Sequence, residues 1–259
     1  MTADVHATAV IAPGARLGAG VAVGAYAVIG EHVAVGEGSW IGPHVVVDGH
    51  TTIGRANRIH PFASIGGPPQ DKKYSGEPTR LEIGDRNTIR EFVTINCGTV
   101  QDAGVTRVGS DNWIMAYVHF AHDCQVGNHT IFANASGLAG HVHVDDWAIL
   151  GATTVVHQFV RVGAHSFTGM GTYLDRDLPP YVKAAGNMAK PYGINSEGLR
   201  RRGFPAEAIN ALKKAYRTVF RSGLGMEEIR RDLRAQAAEF PEVGLLADFL
   251  DAPGRGFIR

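Results

Sequence analysis

The chain has 259 residues with 25 basic and 25 acidic side chains, and 44% of its residues are hydrophobic. Its formal net charge of zero gives no global electrostatic reason to expect a nucleic acid or an acidic membrane surface as partner, so any anion site must be local. Cys97 and Cys124 are too few for a disulfide framework or a thiolate metal cage, which favours a reducing, cytoplasmic location. No signal-peptide pattern and no apolar run of about 20 residues predicts membrane insertion.

A six-residue repeat of single aliphatic residues begins at Val5 and predicts the fold of most of the chain. It runs unbroken to Ile65, returns from Ile83 to Ile95, and continues from Val108 to Val162. Neither a helix nor a simply alternating strand produces this period. We interpret each hexapeptide as one side of a parallel β-helix with its aliphatic residue pointing inward. Three sides make a coil of about eighteen residues, so residues eighteen apart should lie one above the other, about 4.8 Å apart.

Two interruptions of the repeat predict corner loops near residues 66–80 and 98–106. The first loop concentrates charged and polar side chains, including Asp71 and Lys73, and such insertions often form binding surfaces. For an arbitrary β-helix we would still interpret it as a solvated corner. The second loop has no strong chemistry in its sequence, and we interpret it as a simple corner.

The repeat is gone from about Ser196, where the composition becomes helical. Residues 205–223 and 226–240 carry apolar side chains at three- and four-residue spacing, which predicts two amphipathic helices. The predicted fold is therefore mainly β, with a β-helix domain over residues 1–190 and a C-terminal α-helical domain over residues 191–259.

Histidines cluster where the eighteen-residue register can place them. Asp123 and His141 are eighteen residues apart, so they should stack on adjacent coils with His122 beside them. A histidine next to a carboxylate can act as a general base, because the carboxylate orients the ring and stabilises the imidazolium. A metal site is the rival interpretation, but the spacing of His119 and His122 does not match the paired ligands of hexapeptide zinc enzymes. Cys124 falls in a core-type strand, which argues against a thiol nucleophile.

Six motifs, in order along nearly the whole chain, carry a specific resemblance: QDKKYSGEPTRLEIGDRNTIRE, GSDNWIMAYVHFAHDCQVGN, LAGHVHVDD, VVHQF, DLPPYVKAAGN and INSEGLRRRGF. The chain resembles the UDP-N-acetylglucosamine O-acyltransferase family. The resemblance implies a left-handed parallel β-helix and a cytoplasmic homotrimer that needs no metal or cofactor. It also implies an enzyme that moves an (R)-3-hydroxyacyl chain from acyl carrier protein to the glucosamine 3-hydroxyl of UDP-N-acetylglucosamine, the first step of lipid A biosynthesis.

The resemblance also implies roles for individual residues. His122 would be the general base, Asp123 would orient it, and the N–H of Gly140 would receive the thioester oxyanion. The remaining residues would contact substrate. Those that would line the sugar and acyl site are His119, His141, His157 and Gln158; those that would contact the acceptor sugar are Asp71 and Lys73; those that would bind the nucleotide are Asn195, Glu197, Arg201 and Arg202. Basic residues of the helical domain would meet the acidic carrier protein.

Two departures from the family pattern affect these expectations. Members of the family often read TIHRGT where this chain has TINCGT at residues 94–99, so the resemblance assigns no role to the second loop. Met170 stands where a glycine opens the end of the acyl groove in long-chain members, which predicts a donor of about ten to twelve carbons, because surplus methylenes forced into a filled site are costly.

Two alternative functions remain at this point. An N-acyltransferase of the same pathway would share the β-helix and the carrier protein, but it would carry a globular N-terminal uridine-binding domain. Here the repeat begins at Val5, which favours the O-acyltransferase. A hexapeptide protein that only scaffolds or binds would consume no acyl carrier protein thioester.

Overall fold

The computed structural model describes residues 2–252 and 254–259. Short strands and the corners that join them make up most of this part of the chain, and the strands alternate among three sheets. In chain order they are β1 (Asp4–Val5), β2 (Val10–Ile11), β3 (Arg16–Leu17), β4 (Ala22–Val23), β5 (Val28–Ile29), β6 (Ala34–Val35), β7 (Trp40–Ile41), β8 (Val46–Val47), β9 (His50–Ile53), β10 (Arg58–Ile59), β11 (Ser64–Gly67), β12 (Arg80–Ile83), β13 (Thr88–Ile89), β14 (Thr94–Asn96), β15 (Val105–Val108), β16 (Trp113–Ile114), β17 (His119–Phe120), β18 (Gln125–Val126), β19 (Ile131–Phe132), β20 (Gly137–Leu138), β21 (His143–Val144), β22 (Ile149–Leu150), β23 (Val155–Val156), β24 (Arg161–Val162), β25 (Phe167–Thr168), β26 (Tyr173–Leu174), β27 (Val182–Ala185) and β28 (Lys190–Ile194).

The three sheets form the faces of a prism. Face A contains β1, β4, β7, β10, β13, β16, β19, β22, β25, β27 and β28; face B contains β2, β5, β8, β11, β14, β17, β20, β23 and β26; face C contains β3, β6, β9, β12, β15, β18, β21 and β24. Neighbouring strands within each face are parallel, except for the antiparallel pair β27 and β28. This is the parallel β-helix that the repeat predicts, and the predicted fold class is confirmed.

Coil register changes at the two interruptions of the repeat and again at the last coil, where Phe167 aligns with Lys183, sixteen residues further on. Uninterrupted coils align residues eighteen apart, as between His119 and Gly137. Across the first interruption Ser64 aligns with Thr94, and across the second Thr94 aligns with His119, twenty-five residues further on. Each insertion is therefore absorbed outside the ladder, and the strands on both sides keep their pairing.

The core is a column of inward-pointing side chains along the prism axis. Its largest fully buried members include Ile29, Ile59, Ile95, Phe120 and Leu138. Burial of one such side chain stabilises a fold by about 1.5–3 kcal/mol, so the stacked column is the main stabilising feature. The repeat fails to predict burial only at the first coil, where Val5 is exposed because no coil precedes it.

The edges between faces position the candidate site. We name each edge by the faces it joins. The loop between β11 and β12 and the loop between β14 and β15 both leave the prism at edge BC. His122 and Asp123 lie at the same edge between β17 and β18, and Gly140 and His141 lie between β20 and β21. Both insertions and the histidine cluster therefore share one edge on successive coils.

Four helices follow the coils: α1 (Ser196–Arg201), α2 (Ala206–Arg221), α3 (Met226–Glu239) and α4 (Pro241–Asp251). Amphipathic α2 and α3 bury their apolar stripes, and the buried Tyr181 hydroxyl donates to the carbonyl of Glu242 at 2.9 Å, which joins the helices to the last coil. Strand β28 extends to Ile194, past the predicted boundary between residues 190 and 191. Among the described residues, none of the helices combines the length and apolar character that a membrane span requires.

Candidate active site

His122 and Asp123 form a hydrogen-bonded pair at edge BC. The His122 Nδ1 atom lies 2.9 Å from Asp123 Oδ2, and the aspartate is almost completely buried. The next coil places His141 above them, and its backbone N–H donates to the carbonyl of His122 at 3.1 Å. Because the ionised carboxylate can only accept, the proton of His122 sits on Nδ1 and leaves Nε2 free to accept a proton.

The buried carboxylate is held from the second loop. Thr99 donates to both of its oxygens, from the backbone N–H to Oδ1 at 2.9 Å and from Oγ1 to Oδ2 at 2.6 Å. The backbone N–H of Asp123 donates to Thr106 Oγ1 at 2.8 Å. These hydrogen bonds from Thr99 fix the orientation of the Asp123 carboxylate towards His122.

His141 is fixed by three neighbours. Its Nδ1 lies 2.7 Å from Asp102 Oδ2, whereas Asp123 Oδ2 is 3.9 Å away. The ring stacks on Phe159 at a centroid distance of 4.4 Å and meets the His122 ring edge-on at 5.0 Å. The hydrogen bond from His141 holds the pKa of Asp102 below its ordinary value. Asp102 therefore stays ionised and accepts from His141.

Gly140 leaves the space that the His122 ring occupies. A Cβ at this position would lie 2.6 Å from His122 Cε1 and 2.8 Å from Nε2, so any side chain would collide with the ring. The N–H of Gly140 donates to no group in the described part of the chain, while its carbonyl accepts from Phe159. An unpaired amide donor therefore lies beside the free nitrogen of His122.

His119 lies on β17 in the same region. Its Nδ1 is 2.7 Å from Thr94 Oγ1, and burial, with a smaller contribution from nearby His122, lowers its pKa. It is therefore neutral near pH 7.

Burial raises the pKa of Cys124 to about 12 and that of Cys97 to about 11, so neither thiol supplies a thiolate nucleophile.

His122, Asp123 and His141 place one donor atom each within 4.8 Å of the others, close enough to hold a metal ion. Both histidines, however, turn Nδ1 to a carboxylate oxygen at 2.7–2.9 Å. These contacts leave Nε2 of each ring free, but both oxygens of Asp123 already accept hydrogen bonds from Thr99, and a metal bound to this carboxylate would have to displace them. The donor geometry therefore fits a proton-transfer pair better than a metal centre.

Four further candidates share edge BC. His157 and Gln158 lie one coil beyond Gly140, and His157 Nδ1 is 3.1 Å from the Gln158 carbonyl oxygen. Asp71 and Lys73 lie in the first loop, two coils before His122, where the Lys73 N–H donates to Asp71 Oδ1 at 3.0 Å. One edge thus brings together the pair, the amide donor and the residues expected to line the sugar and acyl site.

The candidate nucleotide residues lie at edge CA instead. Asn195 is buried as the N-cap of α1, accepting from the Gly198 N–H at 3.1 Å and donating to the His165 carbonyl. Its amide therefore already serves to fix the helix. Glu197 and Arg201 are exposed and pair with each other at 3.0 Å.

Arg202 differs from its neighbours on α1. Its guanidinium lies over the Trp147 ring at 5.7 Å, and burial lowers its pKa. The buried Nε and Nη2 atoms have no hydrogen-bond partner among the described residues. Such unpaired donors can accommodate an anion.

Met170 lies at the third edge, AB, where 78% of its surface is exposed. A single chain therefore brings neither Arg202 nor Met170 to His122.

Comparison with known proteins identifies the family. The O-acyltransferase of Thiobacillus denitrificans, acyl-[acyl-carrier-protein]–UDP-N-acetylglucosamine O-acyltransferase, is 62% identical over 99% of this chain and 100% of its own length. This chain belongs to the acyl-[acyl-carrier-protein]–UDP-N-acetylglucosamine O-acyltransferase family. The homologue from a Janthinobacterium strain is 60% identical over 98% of this chain and 99% of its own. The predicted family is confirmed.

Family models and a solved structure agree with this assignment. The description "Udp N-acetylglucosamine O-acyltransferase; Domain 2" matches residues 177–258, and "Bacterial transferase hexapeptide (six repeats)" matches residues 106–140. LpxA from Acinetobacter baumannii superimposes with a TM-score of 0.96 at 44% identity, covering 98% of this chain and 99% of that one.

The sequence did not reveal two residues of this O-acyltransferase's site, Thr99 and Asp102. Both lie in the second loop, which the sequence suggests is a simple corner, and that interpretation is wrong because the loop contacts the histidine cluster. The register could not place them, since it does not hold inside an insertion. The available signal was location: the loop leaves edge BC one coil before His122.

Proposed function

We propose that this chain transfers an (R)-3-hydroxyacyl group from acyl carrier protein to the glucosamine 3-hydroxyl of UDP-N-acetylglucosamine, the first step of lipid A biosynthesis. The observation that carries the proposal is the hydrogen-bonded His122–Asp123 pair beside the unpaired Gly140 amide, in a chain 62% identical to a relative named for this reaction. Acyl transfer needs a base and an oxyanion donor at one place.

The reaction follows from the position of these groups. Nε2 of His122 removes the proton of the sugar hydroxyl as its oxygen bonds to the thioester carbon, and Asp123 stabilises the imidazolium that forms. The N–H of Gly140 donates to the developing oxyanion. When the carbon–sulfur bond breaks, the leaving thiolate takes the proton from His122, which restores the free base.

The working unit is a homotrimer, as the distribution of outward residues suggests. At edge AB the aromatic rings of consecutive coils stack at centroid distances of 4.9–5.2 Å, and Tyr26, Phe62, Phe92 and Tyr117 are exposed. Exposed valines continue this apolar surface onto face B, at positions 10, 28, 46 and 155. Outward positions of face C are mostly polar instead, for example Glu82, Arg107 and Gln125. An apolar surface of this extent favours contact with further copies.

A threefold arrangement with edge AB at the axis would complete the site. Face B of one chain would then oppose face A of the next, and edge BC would meet edge CA of that neighbour. His122 of one chain would therefore face Arg202 of another, whose unpaired donors would bind the nucleotide phosphates. A groove between the two faces would lead from His122 inward to Met170, which would limit the length of the acyl chain.

The helical region offers cations to the acidic carrier protein. Lys213, Lys214, Arg217 and Arg221 lie on α2, and none of them forms an ion pair with a described acidic residue. We place the reaction in the cytoplasm, in agreement with two unpaired, buried cysteines.

Mass spectrometry of the product tests this function. The purified chain is incubated with 3-hydroxyacyl carrier protein and either UDP-N-acetylglucosamine or its 3-amino analogue. We expect an ester product with the hydroxyl acceptor and thioester consumption that depends on the sugar. An amide formed only with the amine would show that the acceptor carries a 3-amine, and no consumption would indicate a scaffold; either result would overturn the proposal.

A further inference from the structure

The loop between β14 and β15 supplies the partner of His141. Asp102 uses its two carboxylate oxygens differently: Oδ1 accepts from the backbone N–H of Ala103 at 2.8 Å, and Oδ2 faces His141 Nδ1 at 2.7 Å. The first contact stays within the loop, and the second reaches the ring that packs against His122. The side chain thus joins the loop to the histidine cluster.

The contact determines which nitrogen of His141 carries the proton. An ionised carboxylate only accepts, so His141 must donate from Nδ1, and Nε2 is then left as an acceptor. No described residue hydrogen-bonds Nε2 of His141, whose side chain is mostly buried at 13% exposure. The free nitrogen can therefore accept from a donor that arrives with a substrate, such as a sugar hydroxyl.

The same contact keeps two histidines from sharing one carboxylate. Asp123 Oδ2, which accepts from His122 at 2.9 Å, lies only 3.9 Å from His141 Nδ1. Without Asp102, Asp123 would be the nearest acceptor for His141. A ring that turned to it would compete with His122 for the oxygen that orients the base.

We infer that Asp102 is a positioning residue that holds His141 as its Nδ1–H tautomer and keeps Asp123 for His122. This inference rests on the proposed function for its effect on the reaction, whereas the tautomer itself does not depend on that function. It gives the second loop a part in substrate recognition.

The variant Asp102→Asn separates this role from a structural one. The amide oxygen of asparagine can still accept from the Ala103 N–H, but its NH₂ group then faces His141 Nδ1 and forces the ring proton to Nε2. A merely structural residue would tolerate this change. Gln101→Ala is the matched control, because Gln101 is an exposed neighbour in the same loop.

Two measurements are made on the whole protein. Long-range proton–nitrogen NMR with ¹⁵N-labelled histidine reports the tautomer, with His141→Gln used to assign the signal. Steady-state assays report kcat and KM for UDP-N-acetylglucosamine. For Asp102→Asn we expect the His141 proton to move to Nε2. We also expect kcat/KM to fall about tenfold or more, because the substrate hydroxyl would then lose His141 Nε2 as its hydrogen-bond acceptor.

The outcomes are separable. An unchanged tautomer in Asp102→Asn, or a changed tautomer with kcat/KM equal to that of Gln101→Ala, would overturn the inference. If the parent protein forms no ester at all and the tautomer still changes in Asp102→Asn, the proposed function is wrong, whereas the control of the His141 tautomer by Asp102 is supported.

Discussion

Replacing Gly140 by alanine should disable the candidate base without unfolding the protein. The added Cβ would lie 2.6 Å from His122 Cε1, so the ring must move by about 0.8 Å to reach the shortest ordinary separation of 3.4 Å. Misplacement of a reacting group by about 1 Å can lower the rate about 10²-fold, equivalent to about 2.7 kcal/mol in the activation free energy. Gly140 does not have a left-handed φ, so alanine adds no backbone strain at this corner.

The assay is ester formation at saturating donor and acceptor, with circular dichroism and urea unfolding on the same samples. Gly244→Ala is the control, because its nearest neighbour would be Ala237 Cβ at 3.9 Å, in a helix away from edge BC. We expect kcat to fall about 10²-fold in Gly140→Ala, with an unfolding midpoint close to that of the parent. Normal kcat in a folded Gly140→Ala protein would refute the view that this glycine makes room for the base.

Four further changes test the other parts of the site. His122→Ala should leave the oligomer intact in sedimentation and lower turnover about 10²- to 10⁴-fold; near-normal turnover would remove it from the mechanism. Arg202→Ala should weaken UDP-sugar binding by about 1.5–3 kcal/mol in calorimetry, and unchanged affinity would contradict its phosphate role. Met170→Gly should shift the preferred donor in mixed-donor competition from about ten to twelve carbons towards fourteen, because each buried methylene is worth about 0.8 kcal/mol. An unaltered chain-length profile would mean that another residue limits the length of the acyl chain. Burial, with a smaller contribution from Arg202, lowers the pKa of His165 to about 4, so the free energy of unfolding should fall as pH drops from about 6.5 towards 4. His165→Phe should therefore show a weaker pH dependence of this free energy in urea unfolding. An equal pH dependence in the variant would exclude His165 as the cause.

The parts of the site that sequence could predict are those governed by the coil register. Asp123 and His141 are neighbours because parallel strands eighteen residues apart stack directly, so their meeting required no side-chain detail. The same reasoning puts Phe120 in the core, one residue after His119 points outward. Alternation along each short strand is enough to decide both orientations.

Other parts depend on contacts that no periodicity encodes. Thr99 and Asp102 reach the cluster from an insertion, whose path depends on its own turns and hydrogen bonds. The cap formed by Asn195 depends on where α1 begins on the last coil. Arg202 and His122 are separated because they lie at different edges of the prism. The repeat predicts these edges only after each strand has been assigned to one of the three faces.

The most direct test of the proposed active site between chains is complementation in mixed trimers. His122→Ala and Arg202→Ala chains, each bearing a different affinity tag, are co-expressed and purified through both tags, and ester formation is measured at low UDP-sugar concentration, where both single variants are impaired. If the two residues meet across a heterologous interface, every mixed trimer contains one intact site, and the mixture should recover about one third of the parental activity. Activity no higher than that of the separate variants would contradict a site shared between neighbouring chains.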